Sequence, residues 1–176
     1  MITRAVYPGT FDPVHYGHVD LMCRGAALFD ELIIAVYDHQ QPTKSVLFTV
    51  DERIRMINDA LDGDENISVL PFGELLVDFV RKVDAQVIVR GLRVFSDFEF
   101  EFRSALANKR LAPELETISL MTREEHMFLS SSTVREIASL NGDVSSMVPD
   151  NVARALYERM GMRDKRSYDM PSPLRD

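Results

Sequence analysis

A chain of 176 residues with 45% apolar and 27% charged residues is long enough to bury one sizeable core. Its 28 acidic residues against 20 Lys and Arg give a formal charge of −8, which argues against a nucleic-acid or anionic-membrane surface. Cys23 is the single cysteine, so no internal disulfide can form and a reducing compartment fits. No signal-peptide pattern opens the sequence and no apolar run approaches about 18 residues, so a cytoplasmic protein with no membrane partner is expected.

Ala5, Val6 and Tyr7 read as a short strand that Pro8-Gly9 should stop. The turn Thr10-Phe11-Asp12-Pro13 then leads into His15-Tyr16-Gly17-His18, and a helix is expected over 17–29 with Val19, Met22, Ala26 and Phe29 on one face. Strand, turn and helix start in that order aim free backbone N–H groups at whatever lies beyond the strand's end. Two imidazoles enter at the same point, so the stretch reads as a seat for phosphate. An ordinary strand-to-helix turn is the plainer alternative.

Residues 32–37, LIIAVY, form the continuous apolar run of a strand buried on both faces. A polar loop over 38–47 carries Lys44, and His39 reads as solvent-exposed. Thr49 and Glu52 make a capping box for a helix with Ile54, Ile57 and Leu61 inward. A third strand is expected over 67–72 and a helix over 74–83 with Leu75, Leu76, Phe79, Val80 and Val83 inward. Residues 86–89 read as a fourth strand broken by Arg90-Gly91-Leu92-Arg93. Ser96 and Glu99 read as a second capping box, opening a helix that Pro113 ends. Phe98, Phe100 and Phe102 read as core or subunit-contact residues. A fifth strand over 117–121, a helix beginning at 130–133 and ending at Asn141-Gly142, and a last helix from Pro149-Asp150 to Gly161 complete the pattern. Residues 163–176 are charged, hold two prolines and lack an apolar face, so a mobile tail is expected after a single domain over 1–162.

Five strand–helix alternations imply an α/β fold: a doubly wound, five-stranded parallel sheet in one domain with right-handed crossovers. Such sheets bind ligands beyond the carboxyl ends of their strands. Every segment with chemical character follows a strand: 9–18, 38–47, 72–76, 90–101 and 123–135. Neither GxxxxGK[ST] nor GxGxxG occurs. Three hydroxyls, Ser130, Ser131 and Ser132, together with Thr133 at a helix start supply more donors than N-capping needs.

His15-Tyr16-Gly17-His18 resembles the (H/T)xGH signature of the nucleotidyltransferase superfamily, and Ser130 to Arg135 resembles its second signature, S-S-T-x-x-R in form. With Tyr7-Pro8-Gly9-Thr10-Phe11-Asp12-Pro13 in front, and with RGLR followed by DFExE at 90–101, the sequence is similar to the bacterial phosphopantetheine adenylyltransferase family. That resemblance covers about residues 4 to 160 and implies a Rossmann-like nucleotidyltransferase fold. It implies transfer of the adenylyl group of ATP to 4′-phosphopantetheine, giving dephospho-coenzyme A and pyrophosphate. By the same carry-over His18 and Lys44 are catalytic, and Thr10, Lys44, Leu76 and Arg90 hold the acceptor. Thr10, Phe11, His18, Gly91, Leu92, Arg93, Glu101, and His126, Met127, Phe128, Leu129, Ser130, Ser131 and Ser132 line the ATP site. It further implies a homohexamer, coenzyme A as a ligand, and Mg²⁺ held mainly by the nucleotide, since no carboxylate cluster announces a protein metal site. His126 stands where the family pattern has Trp or Tyr, and the loop with Lys44 is longer than the pattern. Arg135 could reach phosphate or pair along its helix. Glu99 reads as a capping residue.

The acceptor phosphate is already an anion, so in-line attack on the α-phosphorus requires no general base and no covalent intermediate. Nicotinamide-mononucleotide adenylyltransferase and glycerol-3-phosphate cytidylyltransferase are the alternatives within the superfamily; His15 and Thr133 lean towards them, and RGLR with DFExE leans back. A nucleotide-binding sensor without turnover is the alternative from another class.

Overall fold

A computed structural model of the chain describes residues 3–38, 46–61, 63 and 65–161. His39, Lys44 and the tail expected over 163–176 lie outside the described residues. Five strands, β1 (Arg4–Gly9), β2 (Glu31–Tyr37), β3 (Ile67–Phe72), β4 (Val87–Leu92) and β5 (Glu116–Met121), form one sheet. Its order is β3-β2-β1-β4-β5, and every pairing is parallel. Helices α1 (Tyr16–Ala26), α2 (Val50–Leu61), α3 (Leu76–Lys82), α4 (Phe95–Leu111), α5 (Ser131–Ser139) and α6 (Asp150–Arg159) follow the strands. The order reverses between β1 and β4, where a doubly wound sheet opens a crevice.

Two cores hold the layers. On one side Leu21 and Met22 of α1, Met56 and Ile57 of α2, Val134 of α5 and Leu156 of α6 pack on Ala5, Ile34 and Val36. On the other, Val77, Phe79 and Val80 of α3 with Leu115 pack on Val6, Ile33 and Ile88. The continuous apolar run of β2 is buried throughout its middle, as a central parallel strand requires.

Several boundaries differ from the sequence reading. β1 takes in Pro8 and Gly9 before it ends, because its pairing with β2 continues to Gly9↔Val36. Only the pairing with β4 stops, at Val6↔Ile88. β4 likewise runs through Arg90 and Gly91 to Leu92, supported by β5. The helix α1 ends at Ala26 rather than at Phe29. The helix α3 starts at Leu76 with Leu75 as its N-cap, so Leu75 is exposed and not inward. Thr49 and Glu52 make the expected capping box, with Thr49 N donating to Glu52 Oε2 at 2.8 Å and Glu52 N to Thr49 Oγ1 at 3.3 Å. The second box does not form. α4 begins one residue before Ser96, and its N-cap is Val94, whose side chain makes no capping bond; the Asp97 carboxylate instead accepts the Arg93 N–H at 3.2 Å. Phe98, Phe100 and Phe102 are exposed on α4, so they are not core residues.

Arg53 is a buried cation the sequence reading missed. It is 1% exposed. Its guanidinium donates to the carbonyls of Phe48 at 3.1 Å, Thr10 at 2.6 Å and Tyr37 at 2.9 Å, tying the ends of β1 and β2 to the start of α2.

Candidate active site

Pro8 is the residue that opens the sheet. It has no N–H to offer β4, so the β1–β4 ladder cannot continue past Val6. Its carbonyl instead accepts from Arg90 Nη1 at 3.1 Å. The Arg90 guanidinium also makes a two-pronged pair with Glu101 of α4, Nε to Oε2 at 2.6 Å and Nη2 to Oε1 at 2.7 Å. Burial disfavours the charge on Arg90, yet these bonds outweigh it and hold its pKa above the ordinary value. Tyr7 lies beneath, and burial pushes its phenol pKa up despite the two nearby arginines.

The start of α1 is capped by its own histidines. His15 is the N-cap; its Nδ1 accepts from His18 N–H, and His18 Nδ1 accepts from His15 N–H, both at 3.3 Å. This bonding pattern assigns the ring proton of each to Nε2. Burial is the main reason both rings stay neutral, with the Arg93 charge adding to it. His15 is pushed down to about 3, and His18 falls well below the usual imidazole range. Both therefore act at neutral pH as uncharged Nε2–H donors beside a positive helix terminus.

Phe11 packs edge-on to His18 with ring centroids 5.0 Å apart, and edge-on to Tyr7 at 5.5 Å. It holds a left-handed backbone, φ 50°, and its ring fills the space over Gly9. A Cβ on Gly9 would stand 2.7 Å from that ring, so the turn requires a glycine there.

Ser130 caps α5, accepting from Thr133 N–H at 3.1 Å. Ser131 Oγ donates to the Pro13 carbonyl at 2.8 Å. Arg93 joins this helix to the sheet: its guanidinium bonds Asp97, with Nε to Oδ2 at 3.0 Å, and reaches the Leu129 carbonyl at 2.7 Å. Those bonds outweigh burial and hold the Asp97 carboxyl below its ordinary pKa.

A cavity of about 500 Å³ lies over the split between β1 and β4. Of the residues expected at a site, Thr10, Phe11, His18, Leu76, Arg90, Gly91, Arg93, Glu101, Ser130, Ser131 and Ser132 line it. Leu92, His126, Met127, Phe128 and Leu129 do not. Leu92 and Leu129 are buried in the core, Phe128 is exposed, and His126 lies beside Gly17. Tyr7, Pro8 and His15 of the opening motif and Phe72 of the 72–76 segment also line the cavity, together with Tyr37 and Thr122, which the sequence reading does not single out. Tyr37 ends β2 as Phe72 ends β3, and that strand-end position is the signal that could have found it. Arg135, expected on phosphate or along its own helix, instead bonds Asp12.

The cavity is thus walled by two helix N-termini, neutral donors and arginines. Its carboxylates, Glu101 and Asp97, are both already paired with arginine. Among the described residues, no group of three or more His, Cys, Asp or Glu could hold a metal ion. The donor set suits a ligand rich in phosphoryl oxygens.

The family described as Cytidylyltransferase-like has a sequence model that matches residues 6–137. The phosphopantetheine adenylyltransferase of Dictyoglomus thermophilum is 46% identical, with 92% of this chain and 98% of that protein aligned. That of Thioalkalivibrio sulfidiphilus is 52% identical over 89% of this chain and 98% of its own. The chain belongs to the phosphopantetheine adenylyltransferase family. The phosphopantetheine adenylyltransferase of Heliobacterium modesticaldum is 51% identical over 91% of this chain and 94% of its length. A solved structure of a putative nicotinate-nucleotide adenylyltransferase from Vibrio parahaemolyticus superposes with a TM-score of 0.65 at 15% identity. It covers 89% of this chain and 99% of that one, and it shows the Rossmann-like fold. Membership in the phosphopantetheine adenylyltransferase family disfavours the other nucleotidyltransferases and the non-catalytic sensor. Among the described residues, no helix is long and apolar enough to cross a membrane.

Proposed function

We infer that this chain transfers the adenylyl group of ATP to 4′-phosphopantetheine, giving dephospho-coenzyme A and pyrophosphate in coenzyme A biosynthesis. Relatives with 46–52% identity over nearly their whole length carry that activity in their names. The observation in this chain that carries the chemistry is the convergence of two helix N-termini on one cavity opposite Arg90.

The acceptor phosphate attacks the α-phosphorus in line; one P–O bond forms, the bond to pyrophosphate breaks, and no proton has to be removed first. His18 donates its Nε2–H to a phosphoryl oxygen as charge builds there. Ser130, Ser131 and Ser132 with the α5 N-terminus take the triphosphate, and Thr10, Phe11, Gly91 and Arg93 complete the nucleotide side, to which Leu92 belongs by family carry-over alone. His126, Met127, Phe128 and Leu129 belong to that side by family carry-over. Arg90, Leu76 and Thr10 hold the acceptor, and Lys44, carried over on the loop after β2, bears on the transferred group.

With both cavity carboxylates engaged by arginine, Mg²⁺ would be held by the nucleotide's own oxygens, where it neutralises the pyrophosphate. A cytoplasmic homohexamer that also binds coenzyme A completes the reading, and α4 supports the assembly with its exposed Phe95, Phe98 and Phe102. Pyrophosphate release decides the substrate pair. ATP with 4′-phosphopantetheine should turn over, while ATP with nicotinamide mononucleotide and CTP with glycerol 3-phosphate should not. Preference for either of the latter pairs overturns the reading.

A further inference from the structure

Arg135 is on α5 with Ser131 and Ser132, the helix that Ser130 caps, yet it does not line the cavity. Its Nη1 donates to Asp12 Oδ2 at 2.5 Å and to the Asp12 carbonyl at 2.8 Å. Asp12 is 2% exposed, and its carboxylate is fully engaged. Oδ2 also accepts from Leu47 N–H at 2.7 Å, and Oδ1 accepts from Phe48 N–H at 2.9 Å. One residue on, the Pro13 carbonyl takes the Ser131 hydroxyl at 2.8 Å. Three bonds therefore tie the start of α5 to the turn that opens α1. An arginine that left this carboxylate for a ligand would strand a buried negative charge, which is strongly disfavoured.

We propose that Arg135 is a positioning residue and not a nucleotide ligand: by latching Asp12 it fixes the spacing between the N-termini of α1 and α5. The inference rests on the adenylyl-transfer reading above, and it concerns how that site is held. His18 sits at one of these termini and the three serines at the other. Their donors reach the same chain of phosphoryl oxygens only while the two helices keep their separation. A misplacement of about 1 Å can cost about 100-fold in rate while leaving much of the ground-state binding in place.

The experiment is steady-state kinetics with ATP and 4′-phosphopantetheine on Arg135→Met, Asp12→Asn and the double variant, with thermal melts. Arg135→Met should lower kcat about 10- to 100-fold and raise KM for ATP less than about threefold. Because the two residues act as a unit, the double variant should lose less than the product of the single losses, by at least about threefold. If KM for ATP instead rises about tenfold or more and the losses multiply, Arg135 is a phosphate ligand and the latch is wrong. A lowered melting temperature with unchanged kcat also overturns it. Should Arg135→Met not fold, Arg135→Gln is read in its place, since its amide can still donate to Asp12 without charge. The latch then requires kcat within about fivefold of wild type, whereas a phosphate ligand requires the same tenfold rise in KM for ATP. A wild-type enzyme that releases no pyrophosphate ends the adenylyl-transfer reading and the latch with it. A wild type that turns over with the wrong variant pattern ends the latch alone.

Discussion

His15 and His18 stack with ring centroids 3.6 Å apart and planes 18° from parallel, each ring accepting the other's backbone N–H. The arrangement is a capping box built from imidazoles in place of a hydroxyl and a carboxylate. It uses Nδ1 of both rings, so it works only while both are neutral, and it leaves each Nε2–H to donate elsewhere.

Stability should therefore depend on pH in a definite sense. A histidine whose pKa falls on folding binds its proton more readily in the unfolded chain. Its contribution is complete above about pH 6.5 and is lost as pH falls towards the folded value. For His15 that window runs from 6.5 down to about 3. Each such group can cost about 1.4 kcal/mol per pH unit within it. Melts at pH 7.5, 6.0 and 5.0 should show falling stability. His15→Asn, which keeps an N-capping oxygen, should show a shallower slope, and parallel slopes would refute the buried-neutral assignment.

The two histidines should separate in kinetics. Removing a donor that serves developing charge costs about 10²–10³ in kcat, so His18→Ala should lose that much with its fold intact. His15→Thr keeps a side-chain cap for α1 and should cost less than about tenfold. Steady-state rates with melts as the folding control make the comparison. Equal damage from both variants would show that the His15 ring itself serves the reaction.

Gly9→Ala tests the packing behind His18. A Cβ there would press on the Phe11 ring, which is buried and meets His18 edge-on. Overpacking of this kind costs about 1–3 kcal/mol, and the displaced ring should also lower kcat. A variant with wild-type melting and kcat would show that Phe11 moves aside freely and does not support His18.

The architecture and most of the cavity lining were legible from the sequence because strand-to-helix alternation and chemistry at strand ends are local patterns. What was missed depends on partners far along the chain. Pro8-Gly9 looks like a strand stop, yet β2 carries the strand through; only the β4 side obeys the proline rule. Asp12 looks like a turn residue, while its carboxylate meets partners 35, 36 and 123 positions away. Arg53 stands at helical spacing with the buried Met56 and Ile57, a charge on an apolar face that was a readable signal. His15 was not read as a cap because the usual capping rule names hydroxyls and carboxylates.

The exposed side of α4 should be an assembly surface. Phe95, at 88% exposure, stacks near Phe98 at 6.3 Å, and Phe98 near Phe102 at 5.8 Å. A contiguous apolar stripe of this size marks a protein contact. Phe98→Glu with Phe102→Glu should give species smaller than the proposed hexamer in sedimentation velocity, without loss of helical circular dichroism. An unchanged mass would remove α4 from the interface.

Arg90 and Glu101 give the last prediction. The resemblance puts Arg90 on the acceptor and Glu101 on ATP, but the two form one pair. Three of the five guanidinium hydrogens are taken by Glu101 and the Pro8 carbonyl, which leaves one on each terminal nitrogen for an acceptor phosphate. A charge-assisted hydrogen bond is worth about 1.5–3 kcal/mol, so Arg90→Ala should raise KM for 4′-phosphopantetheine about 10- to 150-fold and KM for ATP far less. Removing Arg90 also leaves a part-buried carboxylate unpaired, so Arg90→Ala with Glu101→Gln is needed as a companion to separate lost binding from that penalty. If Glu101 works by orienting Arg90, Glu101→Gln alone should raise KM for the same substrate, by a smaller factor, since one oxygen can still accept. A rise confined to KM for ATP in Glu101→Gln would instead make Glu101 a nucleotide ligand, with its pairing to Arg90 incidental to acceptor binding.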